Sequence, residues 1–240
     1  MSKVIKLENL DTLKFKNLKV SAVIGFFDGV HTGHQKIISA CVKKAQEIGG
    51  VSVVFTFDKP PVNILKKRID KKLITPHSEK IKLIGKTGAD YIIVARFDRE
   101  FADLDPLSFC RNILLEKINV KELFIGKGFK FGRNAKGNIE LLKIFFKPYG
   151  VNINEIDILK IDDTIVSSTT IRKLYSEGDV DNIVKFLGRN PSISGRVIKG
   201  DKRGRLIGFP TANIDVFEKY ITLKDGVYIG YVNICSLSDV

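Results

Sequence analysis

The chain has 240 residues, 44% hydrophobic and 28% charged, which is the profile of a soluble globular protein with length for one large or two ordinary domains. Forty Lys and Arg against 27 Asp and Glu leave a formal charge of +13, a surplus that draws polyanions such as nucleic acid, membrane surfaces or phosphorylated metabolites without choosing among them. The lysines are scattered, and the densest run, "KKRIDKK" (Lys66 to Lys72), has no interleaved aromatics. A solvated surface is therefore expected rather than a nucleic-acid stripe.

No run approaches the roughly 20 apolar residues of a membrane helix, and "MSKVIKLENLDTLKFK" has neither a long apolar core nor a cleavage-like site. Cys41, Cys110 and Cys235 lie far apart without a CxxC pair. Cys41 and Cys110 fall on apolar faces of predicted helices, so they read as buried free thiols of a reducing compartment. A cytoplasmic protein without a membrane partner is expected.

In chain order, "SAVIGF" is a short apolar strand. From His34, apolar residues at Ile37, Ile38, Cys41, Ala45 and Ile48 mark one face of a helix that ends near Gly49 and Gly50. "VSVVFTF" (Val51 to Phe57) is a β-branched buried strand, "SEKIKLIGK" a helix and "ADYIIVARF" another strand. "DPLSFCRNILLEKI" carries Asp105 as N-cap and Pro106 at the first helical position. "KELFIG" is a strand, followed by a glycine-rich loop, a helix around Ile139 to Phe146, and the strand "VNINEIDIL". Such alternation predicts an α/β fold, a mostly parallel sheet covered by helices on both faces, with ligands at the carboxyl ends of its strands. After Gly188 the pattern becomes short alternating strands with turn glycines and no helical period, an all-β segment of about 50 residues that is too short to bury a good core alone. The expected division is residues 1–187 and 188–240.

"SAVIGFFDGVHTGHQKIISACVKKA" (Ser21 to Ala45) places two of the three histidines three residues apart where the first strand gives way to the first helix. First-turn amides of a helix lack internal acceptors and sit at the positive end of its dipole. Gly25, Gly29 and Gly33 let backbone approach a ligand, and His31 and His34 can face one bound group and donate N–H to phosphate oxygens. The pattern reads as a triphosphate site. As alternatives, the histidines could ligate a metal, although no third ligand cluster is evident, or simply cap the helix.

"GFFDGVHTGHQ" resembles the signature of the prokaryotic bifunctional riboflavin kinase/FAD synthetases, within the HxGH nucleotidyltransferase superfamily. "TFDKPP", "FADLDPLSF", "FIGKGFKFGRNAKGN", "SSTTIR" and "GRVIKGDKRGRLIGFPTANI" agree with it in order, over nearly the whole chain. The resemblance implies a Rossmann-like nucleotidyltransferase domain that moves AMP from ATP to FMN, giving FAD and pyrophosphate, followed by an incomplete riboflavin-kinase-like barrel. It implies ATP and FMN as substrates, riboflavin as a further small-molecule ligand, and Mg²⁺ held mainly by ATP phosphates.

By the same resemblance His31, His34 and Arg172 are candidate catalytic groups, Arg172 as a forked cation for the β- and γ-phosphates. Gly25, Phe26, Phe27, Gly33, Ser168 and Thr169 would bind ATP and its phosphates, and Phe57 and Pro61 would help form the flavin pocket. Asp28 would shape the turn. Taken alone, "SST" is an ordinary N-cap before a solvated arginine, and Phe57 is simply core. In the kinase-like module Gly200 and Gly204 would lie in the loop over ATP, while Thr211 and Asn213 would hold Mg²⁺ and phosphate if the module were complete; alone, "GFPTAN" is a turn. The chain carries Gly128 and Lys59 where the family usually has Asp or Asn and Pro, and Asn134 or Asn138 are candidates to supply the missing polar contact. With no candidate for the kinase base before Val240, this polypeptide is expected not to phosphorylate riboflavin. The rivals are another HxGH adenylyl- or cytidylyltransferase, and a non-catalytic flavin, nucleotide or nucleic-acid binder.

Overall fold

The computed structural model describes residues 2–11, 14–61, 64, 72–201, 203–206, 208–216 and 220–234; Cys235 and, apart from Lys72, the run "KKRIDKK" lie outside the described residues. Strands β1 (Lys3–Lys6), β2 (Val20–Ile24), β3 (Val51–Phe57), β4 (Tyr91–Ala95), β5 (Val120–Gly126) and β6 (Asn152–Ile156) form one parallel sheet in the order β1-β4-β3-β2-β5-β6. Helices α1 (Thr32–Glu47), α2 (His77–Gly85), α3 (Arg99–Ala102), α4 (Pro106–Ser108), α5 (Ile139–Phe146), α6 (Ser168–Glu177) and α7 (Val180–Leu187) connect and cover it.

A parallel sheet has both faces covered, so its strands read as continuous apolar runs. Every residue of β2 is buried. Successive residues serve opposite faces: Ala22, Ile24, Val53, Phe55 and Ile93 join one core cluster, Val23, Val54, Ile92 and Val94 the other. Cys41 and Cys110 are buried free thiols, as expected. A third cluster, including Ile171, Tyr175, Ile183 and Phe186, joins α6 to α7.

Several boundaries differ from the sequence expectation. The first helix starts at Thr32, because His31 itself supplies the N-cap. α4 runs on through Phe109–Lys117 with wider turns, the Ile118 N–H reaching the Ile113 carbonyl at 3.0 Å. Strand β1 had no clear sequence signal, being a four-residue, largely exposed edge that pairs with β4. Beyond Gly188, β9 (Gly195–Ile198) and β10 (Asn213–Val216) pair antiparallel, but one helical turn, α8 (Arg203–Leu206), interrupts the expected all-β pattern. Between the two regions, Lys160–Ile161 (β7) and Thr164–Ile165 (β8) make a small hairpin. The carboxy-terminal segment touches the body where the Ile221 and Lys224 amides donate to the Leu73 and Tyr175 carbonyls, both at 2.9 Å. Among the described residues no helix is long and apolar enough to cross a membrane.

Candidate active site

The chain leaves β2 towards β3 on one side and reaches β5 on the other, so the order of strands reverses at the carboxyl ends of β2 and β5. Such switch points open a crevice. Here a cleft of about 270 Å³ is lined by Gly25, Phe27, His31, Gly33 and His34 on one side and Gly126, Lys127, Gly128 and Asp157 on the other. A second cleft, of about 300 Å³, lies at the amino ends of the strands by Ser2, Val51 and Tyr91. Its carboxylate, Asp90, already accepts from the Ser52 amide and hydroxyl at 2.8 and 2.7 Å, and its lining contains no histidine or arginine. The first cleft is the one lined by both histidines of the HxGH turn.

His31 and His34 stack there with ring centroids 3.5 Å apart and planes 18° apart. The His34 amide donates to His31 Nδ1 at 3.2 Å, so a neutral His31 carries its proton on Nε2. Burial, helped by the positive charge of Arg189, pushes the His31 pKa down to about 4. Burial first, then His31 and Lys80, hold His34 well below its ordinary value. Burial first, and then the neighbouring positive charge, favours the neutral form of both imidazoles, each of which keeps one N–H donor. His34 also meets the edge of Phe27 at 5.2 Å, and its Nδ1 is buried without a partner among the described residues.

The loop that presents the pair is held in an unfavourable shape. Phe27, Gly29 and Val30 have φ of 56°, 85° and 39°; for the bulky and β-branched residues this is costly unless the surroundings impose it. Asp28 Oδ1 accepts from the Ile74 and Thr75 amides at 3.0 and 3.3 Å, and Oδ2 from Arg172. Burial pushes the Asp28 carboxyl above its ordinary value, while Arg172 and the two amides pull it down. The Asp28 carbonyl accepts from Ser168 Oγ at 3.0 Å.

Below this loop Lys80, only 2% exposed, donates to the Phe26 and Phe57 carbonyls at 3.2 and 2.7 Å and lies 4.0 Å over the Phe26 ring. Burial lowers its pKa to about 8. It ties the carboxyl ends of β2 and β3 together. The sequence carried one signal for it, a position four residues before buried Ile84 on the same helical face.

The structure brings Gly25, Phe27, His31, Gly33 and His34 together in the cleft and distributes the other candidates around it. Phe26 turns its carbonyl to Lys80 and Thr56. Ser167 caps α6, Ser168 and Arg172 brace Asp28, and Thr169 is exposed. Arg172 also donates to the Lys72 and Ser168 carbonyls, both at 3.0 Å, so its guanidinium is engaged within the chain. Phe57 lies in an aromatic cluster with Phe97 and Phe101, at 5.2 and 5.6 Å, and Pro61 is half-buried near the same strand end. Gly128 lines the cleft at φ +77° with open space where a Cβ would point. Asn138 caps α5 through the Leu141 amide at 2.9 Å, and Asn134 is exposed, as is Lys59. In the last segment a Cβ on Gly200 would collide with Asn213, and one on Gly204 with the Phe209 carbonyl beside Thr211, so the candidates lie close in two pairs, Gly200 with Asn213 and Gly204 with Thr211. Sequence reasoning missed Lys127 and Asp157, an ion pair at 3.2 Å on the cleft wall opposite the histidines.

Among the described residues no group of three His, Cys, Asp or Glu could hold a metal ion. The carboxylate on the cleft wall, Asp157, is paired with Lys127, and Asp28 with Arg172. Both of these carboxylates are thus already engaged with a cationic side chain.

The chain matches the FAD synthetase family over residues 14–170 and the riboflavin kinase family over residues 187–238. It is 40% identical over 223 residues to the bifunctional riboflavin kinase/FMN adenylyltransferase of Buchnera aphidicola subsp. Schizaphis graminum, covering 92% of this chain and 71% of the relative. Proteins of the same name from Listeria monocytogenes and Bacillus subtilis are each 36% identical, over 91% and 90% of this chain and 69% and 68% of their own. A crystal structure described as a macrolide-efflux protein from Streptococcus pneumoniae superposes with a TM-score of 0.81 at 28% identity, over 94% of this chain and 73% of that one. A pantoate-β-alanine ligase from Francisella tularensis, with a TM-score of 0.50 and 14% identity over 75% of this chain and 76% of its own, shares the fold alone.

Proposed function

Because this chain belongs to the FAD synthetase family, we propose that its α/β body transfers AMP from ATP to FMN, releasing FAD and pyrophosphate. The observation that carries this reading is the neutral, stacked His31–His34 pair at the amino end of a 16-residue helix, facing the cleft at the switch point. An FMN phosphate oxygen attacks the α-phosphorus of ATP, the bond to the bridging oxygen breaks, and pyrophosphate leaves with the electron pair. No protein nucleophile takes part, so the chain's task is positioning and stabilising charge. His31 Nε2–H and the His34 ring donate to phosphate oxygens, first-turn amides of α1 add to them, and Lys127 stands on the opposite wall. Arg172 acts through Asp28, holding the loop. Mg²⁺, if held by the triphosphate oxygens, would supply further charge neutralisation.

We read residues 1–187 as the adenylyltransferase part and 188–240 as the kinase-like part, and place the protein in the cytoplasm, where its buried thiols Cys41 and Cys110 stay reduced. We infer that the described part of the last segment carries no group set up as the base for riboflavin phosphorylation. Among the described residues of the last segment every carboxylate is exposed, Asp201, Asp215 and Asp225 alike, so none is set up as a buried base.

The test is chromatographic detection of FAD from FMN plus ATP, with and without Mg²⁺, against other phosphorylated acceptors. FAD formed only with FMN and metal supports the reading; pyrophosphate release with another acceptor replaces it. Binding of ATP and FMN without turnover makes the chain a binder. Conversion of riboflavin to FMN would overturn the statement about the kinase part.

A further inference from the structure

We infer that Arg189, with Gln35 and Thr32, clamps the nucleotide-binding loop to the start of the carboxy-terminal segment, making Arg189 a positioning residue for adenylyl transfer. The inference rests on the function proposed above. Arg189 lies beyond the stretch matched to FAD synthetases and inside the stretch matched to riboflavin kinases.

The contacts converge on one strained turn. Arg189 Nη2 donates to the Gly29 carbonyl at 2.7 Å, and Nη1 approaches the Val30 and Leu187 carbonyls at 3.4 and 3.3 Å. Gln35 Nε2 donates to the Val30 and Leu187 carbonyls at 2.8 and 2.9 Å. Thr32 Oγ1 donates to the Phe186 carbonyl at 3.0 Å. Thus the last carbonyls of α7 and the two carbonyls of the left-handed Gly29–Val30 turn share one set of donors. Close approach is required: Gly188 has φ +69°, and a Cβ there would sit 3.0 Å from Thr32 Cγ2. Val30 at φ 39° is a conformation that only such bracing maintains. The turn it fixes leads directly into His31, whose ring must meet a phosphate oxygen. A planar fork reaches several carbonyls at once, which an ammonium on a flexible stem cannot.

The experiment compares the unmodified 240-residue chain with Arg189→Ala, Arg189→Lys and Gln35→Met by amide hydrogen exchange and by steady-state FAD synthesis. In Arg189→Ala, peptides spanning residues 27–34 are expected to exchange at least about tenfold faster while β3 and β4 stay unchanged. The kcat is expected to fall by up to about 10²-fold with the FMN KM within twofold. Added guanidinium ion restores part of that loss, and Arg189→Lys recovers less than the fork provides. If Arg189→Ala does not fold, Gln35→Met, which removes the donor shared by Val30 and Leu187, must show the same local exchange increase.

Unchanged exchange at residues 27–34 in the folded variants overturns the clamp whatever their activity. So does a uniform rise across the sheet, because Arg189 would then hold the fold in general. If the unmodified chain makes no FAD yet loop exchange rises as expected, the clamp stands and the proposed activity falls.

Discussion

The turn from Phe27 to Gln35 and the segment from Gly195 to Ile234 both match a known family, yet they differ in what the rest of the molecule does for them. The turn is fixed by Asp28, Arg172, Ser168, Gln35 and Arg189, and its histidines stack into a cleft. In the segment Phe209 is 74% exposed, and Val227 and Ile229 are fully exposed. A site needs groups held to within fractions of an ångström, and only dense packing with satisfied hydrogen bonds does that. A family match alone does not hold side chains in place; in the turn the bracing contacts do. The segment's Gly200–Asn213 and Gly204–Thr211 approaches are local, and of its described residues Ile221 and Leu223 pack against the third core cluster.

The comparison breaks most severely if the bracing of the turn proves dispensable. Asp28→Ala leaves Arg172 partly buried without its carboxylate and strands two amides, and should cost roughly 3–5 kcal/mol in urea unfolding. A loss under 1 kcal/mol would mean the turn holds its own shape. Next, His34→Ala should lower FAD synthesis about 10²- to 10³-fold, the scale for one donor at a developing charge, with unchanged circular dichroism. An active variant would shift the chemistry away from the pair.

The pH dependence sharpens the same contrast. The folded-state pKa of His31 is about 4 against an ordinary 6.5, because burial, then Arg189, disfavour its charged form. Between those values the unfolded chain binds the extra proton, so stability falls as pH drops from 6.5 towards 4, by about 3 kcal/mol for this group. Unfolding midpoints of the unmodified chain and His31→Gln, measured from pH 7 to 4.5, should converge at low pH, since the variant lacks this loss. Parallel curves would remove His31 as the titrating group.

Smaller again, Lys80→Met leaves the Phe26 and Phe57 carbonyls without their donor, and should cost about 2 kcal/mol by thermal or urea unfolding. The smallest effect belongs to the exposed segment: Val227→Ser with Ile229→Ser should move stability by less than about 0.5 kcal/mol and leave FAD synthesis unaltered. A large loss there would show that the segment packs in solution and would end the contrast.

Much of the fold was legible because it rests on local periodicity. The β-branched run Val51–Phe57, the Asp105–Pro106 start and the apolar face Ile37–Ile38–Cys41–Ala45 each state their element within a few residues. Strand β1 was not legible, since four half-polar residues gain a strand identity only by pairing with β4 across 87 intervening residues. The histidine pair could be read from spacing, whereas Lys80 is marked only by sharing a helical face with Ile84, and Arg189 looks like any of the 40 basic residues until the fold engages it.

The sequence by itself determined the α/β alternation, the position of the HxGH turn between strand and helix, and the change of character after Gly188. Those features depend on the period of apolar residues and on glycine and proline, which act over a few positions. The tertiary structure alone decided that the histidines are neutral, that Arg172 is engaged with Asp28, and that residue 189 reaches back to Gly29. Charge state and side-chain partnership follow from desolvation and from neighbours distant in the chain, and linear spacing carries no information about either.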